Sequence, residues 1–273
     1  MMNIMKYILN LKNLLKLILK KLNLKITKYS SFEFLLKSQK SIKDTLFLKL
    51  LINLNEKNIL KTIKYYPFSK SELIQDLFVL NKLNFKKKGF FVEFGAMDGE
   101  IASNTHLLEK KFLWCGILCE PNKNYIKKLK RKRNVKIVSK LVWENSYSDL
   151  LFEVASQPGL STISNFVSSD FHNREIIDKY FIKSISLNDL LVKYNAPQII
   201  DYLSIDTEGS EYQILKKFNF KKFKFRIISI EQNNLKKKKL IRKLLTNNGY
   251  KRYVNTYTDS SYDDIFYHQK YIN

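Results

Sequence analysis

Residues 90–99 read Phe-Phe-Val-Glu-Phe-Gly-Ala-Met-Asp-Gly, an apolar run that stops at a tight turn. Glu93 stands at the end of the run, Gly95 and Gly99 bracket the turn, and Asp98 lies inside it. A short apolar run of this kind reads as a buried parallel strand. Glycine after it lets the backbone approach a bound molecule with no side chain in the way. Acidic side chains would repel a phosphate, so they argue against a bare phosphate cradle. They suit a ligand that carries an ammonium group and hydroxyls. Further along, Glu120 lies 27 residues after Glu93 and ends a second apolar run. Asp206 and Glu208 end another, and Glu231 ends one more.

These acids need a scaffold that brings run ends together. Strand and helix patterns alternate from Gly89 onward. Strands are expected at Gly89–Phe94, Leu113–Cys119, Val135–Val142, Ile199–Ile205 and Arg226–Ile230. Helices are expected at Asn104–Lys111, Lys123–Arg133, Leu187–Tyr194, Glu211–Phe218 and Lys236–Asn247. Tyr250–Tyr257 and Asp264–Tyr267 form an expected terminal hairpin. Such alternation predicts an α/β fold: a doubly wound, mostly parallel sheet with a terminal antiparallel hairpin. Ligands of such sheets bind beyond the carboxyl ends of the strands, where the acids stand. Residues 145–183 read as irregular, with a turn at Gln157-Pro158-Gly159 and partial helix over Ser168–Tyr180. Residues 1–84 read as a basic helical extension, and residues 85–273 as the main domain. Within the extension, Phe32–Ile52 and Asn55–Tyr66 carry helical spacing, broken at Tyr66-Pro67. Ser69 and Glu72 read as a capping box opening a helix to about Asn84.

A cationic cofactor with ribose hydroxyls, S-adenosylmethionine, meets these requirements and makes the chain a candidate methyltransferase. An acid ending the second strand commonly bridges ribose hydroxyls, a role that falls to Glu120. The ordered set is more specific than any one part. Phe91–Gly99 is followed by Ser103-Asn104-Thr105, Leu108-Glu109-Lys110, Trp114–Ile117 and Glu120-Pro121-Asn122. Leu187–Leu191 and Ile200–Glu211 come later, the second containing Asp206-Thr207-Glu208-Gly209-Ser210-Glu211. Over roughly residues 71–270 the chain resembles the FkbM family of S-adenosylmethionine-dependent methyltransferases. The resemblance implies a class I, Rossmann-like methyltransferase fold and O-methylation, often of sugar hydroxyls in glycans or secondary metabolites. It implies that Glu93, Gly95 and Gly99 line the methionine part of the cofactor, with Asp98 in the same turn, and that Glu120 holds the ribose. Gln75 and Asp76 also match the family pattern, where they would cover the cofactor. One departure stands out: the family often has Glu-His-Asn after strand five, and this chain has Glu231-Gln232-Asn233. Glutamine cannot act as a general base.

Methyl transfer from a sulfonium is an in-line displacement, promoted by holding the acceptor oxygen close and excluding water. A sugar hydroxyl is a poor nucleophile, so a base helps. Asp206, Glu208 and Glu231 are the candidates, in that order. Asp206 and Glu231 could instead hold Mg²⁺ with Asn233, since hard oxygen ligands suit that ion. Of the three histidines, His106 falls in the first helix, His172 in the irregular insert and His268 on the hairpin, where exposure is expected. Ser161-Thr162-Ile163 reads as an ordinary loop that could line the acceptor pocket.

Composition narrows the alternatives. Against 25 Asp and Glu the chain carries 49 Lys and Arg, a formal charge of +24. Such a charge attracts nucleic acid, anionic lipid or acidic glycans. Only six of the basic residues are Arg, whereas base and phosphate recognition favours arginine forks. The place after strand four holds Asp206-Thr207-Glu208-Gly209 instead of the Asn/Asp-Pro-Pro-aromatic motif of base amino methylation. A nucleic-acid methyltransferase, and a non-enzymatic membrane- or nucleic-acid-binding module, are therefore the weaker readings. The tight G-x-G-x-x-G of nicotinamide enzymes is absent. Met1–Ile26 has the pattern of a basic amphipathic helix suited to an anionic membrane surface, and its lysines rule out a spanning helix. Cys115 and Cys119, four residues apart on one strand, stand about 13 Å apart, too far for a disulfide. Both are expected buried and reduced, which fits a cytoplasmic enzyme.

Overall fold

The computed structural model describes residues 42–167, 172–231, 235–254 and 263–272. The expected amphipathic helix Met1–Ile26 lies outside the described residues, as do Gln232 and Asn233. Helix α1 spans Ile42–Ile52 and α2 spans Glu56–Tyr65. Asn55 caps α2 by accepting the Asn58 amide at 2.9 Å, and Tyr66–Phe68 turns once as a 3₁₀ helix around Pro67. Helix α3, Gln75–Lys82, starts five residues later than the capping-box reading places it. Residues 69–74 cannot be helical because Ser71 pairs with Ala102 in a parallel bridge and Ile74 is left-handed, φ +55. Ser69 instead donates to Asp76 at 2.8 Å.

The remaining elements are β1 Phe90–Phe94, α4 His106–Phe112, β2 Cys115–Cys119, α5 Lys123–Lys132, β3 Lys136–Val138 and β4 Leu141–Trp143. After them come β5 Asp149–Ala155, β6 Thr162–Ile163, β7 Ile176–Ser186, α6 Leu187–Lys193, β8 Ile199–Ile205 and α7 Glu211–Lys216. The described chain ends with β9 Lys224–Glu231, α8 Leu235–Asn247, β10 Tyr250–Arg252 and β11 Asp263–His268. Seven strands form the main sheet in the order β10-β11-β9-β8-β1-β2-β3. All its pairings are parallel except those of β11, which runs antiparallel to β9 and β10. This is the doubly wound sheet with a terminal antiparallel hairpin.

Alternation along β1 explains how the sheet is buried on both faces. Val92 and Phe94 enter one core with Ile117, Leu203 and Ile228. Phe91 enters the other, with Leu77 of α3, Leu107 of α4 and Tyr202. Leu46 and Leu50 of α1 belong to that second core, so the packing continues across residue 84. Cys115 is exposed, unlike the expectation, because it opens β2 at the strand's outer end; Cys119 is buried, and both are free.

The stretch 145–183 departs most from its sequence reading. The expected strand Val135–Val142 divides, β3 joining the main sheet and β4 leaving it. β4, β7, β5 and β6 form a second sheet in that order, with β5 and β7 paired antiparallel from Asp149 to Ala155. Its charged residues pair across strands: Lys179 with Glu153 at 3.1 Å and Lys183 with Asp149 at 2.9 Å. A strand with charges and a bulge at Val154/Ala155 has no clean two-residue period, so its sequence looks like loop. No helix among the described residues is long and apolar enough to cross a membrane.

Candidate cofactor and acceptor site

The carboxyl ends of β1, β2 and β8 open into a cavity of about 650 Å³, counted out to its mouth. The second sheet supplies the facing wall through Phe152, Ser161, Thr162 and Ile163. The Ser161–Ile163 stretch is therefore a wall of the cavity and not an ordinary loop. Gly95 sits where β1 and β8 come closest. Its φ is +76, and a Cβ there would fall 2.1 Å from the Asp206 carbonyl oxygen. Gly95→Ala must both adopt a left-handed backbone and push the strand ends apart. The expected cost is about 1–3 kcal/mol from the backbone alone, read as a lower denaturation midpoint together with weakened cofactor binding.

At the far end of the cavity Glu120 is buried, with 4% of its surface exposed. Its Oε2 accepts the Met97 amide and its Oε1 the Asn122 amide, each at 2.7 Å. Each carboxylate oxygen has a second lone pair, so hydroxyl donors in the cavity can still be received. Asn122 also caps α5 by accepting the Asn124 amide at 3.0 Å, which fixes the turn around Glu120.

Residues 93–252 match the family model described as Methyltransferase FkbM domain. The chain belongs to the FkbM methyltransferase family. No curated protein matches it significantly. Solved structures with similar chain paths include a precorrin-6y C5,15-methyltransferase from Geobacter metallireducens GS-15, at 14% identity and TM-score 0.38, over 70% of this chain and 84% of that one. A methyltransferase from Pyrococcus furiosus gives 13% and 0.37, over 78% and 96%. The human methyltransferase 10 domain containing protein gives 13% and 0.35, over 76% and 81%. Membership makes this chain an S-adenosylmethionine-dependent methyltransferase. The cavity suits that cofactor in the bare backbone at Gly95 and in the acid at Glu120.

Within the FkbM domain the sequence-predicted acids divide into two groups. Gly95, Glu120, Asp206 and Glu208 line the cavity. Glu93, Asp98 and Gly99 do not line it. Glu93 shares a face of β1 with Phe91, away from the cavity, and is 3% exposed. Its oxygens accept the Asn104 amide at 2.7 Å and the hydroxyls of Thr105 and Ser103 at 2.5 and 3.1 Å. Asp98 accepts the Glu100 and Ile101 amides and pairs with Lys132 at 2.6 Å. Gly99 packs against Arg133, where a Cβ would meet Cγ at 2.6 Å. All three hold the turn in shape through these contacts. Gln75 is likewise buried, its Nε2 donating to Asp263 at 2.6 Å. His268, expected exposed, is buried edge-on against Tyr250 with ring centroids 4.8 Å apart.

Asp206, Glu208 and Glu231 each bring one oxygen within 4.8 Å of the others. Glu208 is committed: the buried guanidinium of Arg174 donates to its Oε2 at 2.6 Å. Arg174 has no signal in the sequence beyond being one of few arginines. Asp206 keeps open surface toward the cavity although protein surrounds it. Desolvation in the crevice, then the charge of Glu208, push its carboxyl well above the usual range. Desolvation, then the charge of Asp206, do the same to Glu231. The two carboxyls are in hydrogen-bond contact, an arrangement that disfavours ionising both at once.

Burial raises Glu120 from 4.5 to about 7. Its folded value lies above the unfolded one, so the cofactor-free domain loses stability as pH rises through that window. Hydroxyl donors favour the ionised form, so binding expels the proton. S-adenosylmethionine affinity should rise between about pH 6 and 8, and Glu120→Gln should flatten that dependence in calorimetric titrations.

Proposed function

We propose that this FkbM methyltransferase methylates a hydroxyl group of a sugar, in a glycan or glycan precursor, with Asp206 receiving the hydroxyl proton. The observation that carries the reading is Asp206, in hydrogen-bond contact with Glu231 and lining the same cavity as Glu120. S-adenosylmethionine supplies an electrophilic methyl group on a sulfonium. The acidic crevice attracts that cation and repels anions, in a chain whose surface is otherwise strongly basic. With one proton shared, the pair has an open basic site, and Glu231 stabilises Asp206 as it takes up the second proton. Glu208, neutralised by Arg174, orients the loop and does not compete as base. A hydroxyl is the acceptor that needs such a base, because an amine can react through its own lone pair. Glu120 receives the ribose hydroxyls.

A second reading has one observation in its favour. Three carboxylate oxygens lie within 4.8 Å of one another, a donor set that suits Mg²⁺. In that case the ion, not the shared proton, would lower the acceptor's pKa.

The test supplies methyl-labelled S-adenosylmethionine and extracted surface glycans, followed by sugar linkage analysis. An O-methyl sugar that forms equally well in EDTA supports the proton-sharing pair. Loss in EDTA restored by Mg²⁺ supports the metal reading. Label found in RNA and absent from carbohydrate overturns the sugar assignment.

A further inference from the structure

Arg174 enters β7 on the second sheet's side of the crevice. Its side chain is fully enclosed, 0% exposed, and among the described residues it fans out to three acceptors. Nε donates to the Leu160 carbonyl at 2.9 Å, Nη1 to the Val167 carbonyl at 3.1 Å, and Nη2 to Glu208 Oε2 at 2.6 Å. The first two bonds tie the segment around β6 to the start of β7. The third crosses to the loop after β8. Glu208 holds a left-handed backbone there, φ +55, followed by Gly209 at +114. A non-glycine residue keeps that conformation only where its surroundings impose it. The impositions are visible. Thr162 Oγ1 donates to the Glu208 carbonyl at 2.9 Å, and Lys237 Nζ to the Gly209 carbonyl at 2.7 Å. Glu211 Oε1 accepts the amides of Thr207 and Gly209 at 3.2 and 2.9 Å. At the head of this loop stands Asp206. A planar guanidinium can serve three acceptors in one fan, whereas a lysine ammonium cannot match the geometry.

We infer that Arg174 is a positioning residue: acting through Glu208, it locks the Asp206–Gly209 loop onto the second sheet and so holds Asp206 at the acceptor. This rests on the reading of Asp206 as proton acceptor. It also makes the second sheet part of the catalytic geometry and not only a cover for the cofactor.

The experiment compares full-length wild type, Arg174→Ala and Arg174→Lys by hydrogen-exchange mass spectrometry and by labelled methyl transfer to extracted surface glycans. In both variants amide exchange over residues 206–211 should rise about tenfold, as one charge-assisted bond is lost, and by clearly more than in β1 and β2. Turnover should fall about 10²-fold while the KM for S-adenosylmethionine holds. Guanidinium ion should restore part of the turnover of Arg174→Ala, and sodium should not. Unchanged exchange at 206–211 overturns the inference. Equal loss of protection across the whole sheet, with cofactor binding lost in both variants, also overturns it. Exchange needs no acceptor, so a wild type that fails to label glycan overturns the sugar assignment alone.

Discussion

Replacing Asp206 with Asn should lower methyl transfer by about 10²- to 10⁴-fold, the span of a lost general base, and leave S-adenosylmethionine affinity nearly unchanged. The amide keeps the side chain's size and can still hydrogen-bond Glu231, so the loop should stay in place. What disappears is the site that takes the acceptor's proton. The shared proton disappears with it, and Glu231 becomes an ordinary buried acid beside an amide. The same variant of Glu208 should behave differently. Glu208→Gln takes a carboxylate from the buried Arg174 guanidinium, so stability falls along with turnover. Single-turnover kinetics and calorimetric cofactor titration separate the two patterns. Equal loss of turnover and cofactor affinity in Asp206→Asn would make Asp206 a cofactor ligand.

Arg133→Met should destabilise the protein by about 3–5 kcal/mol, the cost of removing one partner from a buried charge network. The Arg133 side chain is 0% exposed. Nε donates to Glu109, Nη1 to the Gly99 carbonyl at 2.9 Å and Ser103 Oγ at 3.0 Å, and Nη2 to Thr105 Oγ1 at 2.8 Å. Glu93 lies 3.8 Å away. Methionine fills much of the volume but takes the guanidinium from Glu93 and leaves Glu109 with the half-exposed Lys110 alone. The Ser103–Thr105 turn that Glu93 clamps should then loosen, and cofactor binding with it. Lys132→Gln is the control, because its pair with Asp98 is partly exposed, the Lys132 side chain at 33%. It should cost less than about 1 kcal/mol. Urea titration of both variants reads the difference.

Arg133 and Arg174 show where the sequence could have said more. Arginine is scarce in this lysine-rich chain, six of 49 basic residues. Among the described residues five of the six pair with carboxylates: Arg133, Arg174, Arg226, Arg242 and Arg252. Where lysine serves the surface, a retained arginine marks a site that needs its fan of donors. The main sheet was legible because β1, β2, β8 and β9 are short apolar runs ending in turns, and burial on both faces writes that pattern directly. Glu120 and Asp206 were legible because strand ends face the crevice. The partners of Glu93 were hidden for a reason of register. Glu93 lies two residues before Gly95, on the face of β1 that packs against α4 and α5, and only the fold shows that Ser103, Thr105 and Arg133 meet it there. The second sheet was hidden by cross-strand ion pairs such as Glu153–Lys179, which in sequence resemble a solvated loop. Residues 69–74 carry a capping-box pattern, yet the bridge from Ser71 to Ala102 outweighs it, a tertiary contact overriding a local preference.

Isothermal titration of S-adenosylmethionine into the wild-type protein and Glu120→Ala tests the cavity assignment most directly. One equivalent should bind wild type, and the loss of the acid's hydrogen bonds should weaken binding by more than about tenfold. Absence of binding to folded wild type, or equal affinity in the two proteins, would contradict the placement of the cofactor in this crevice.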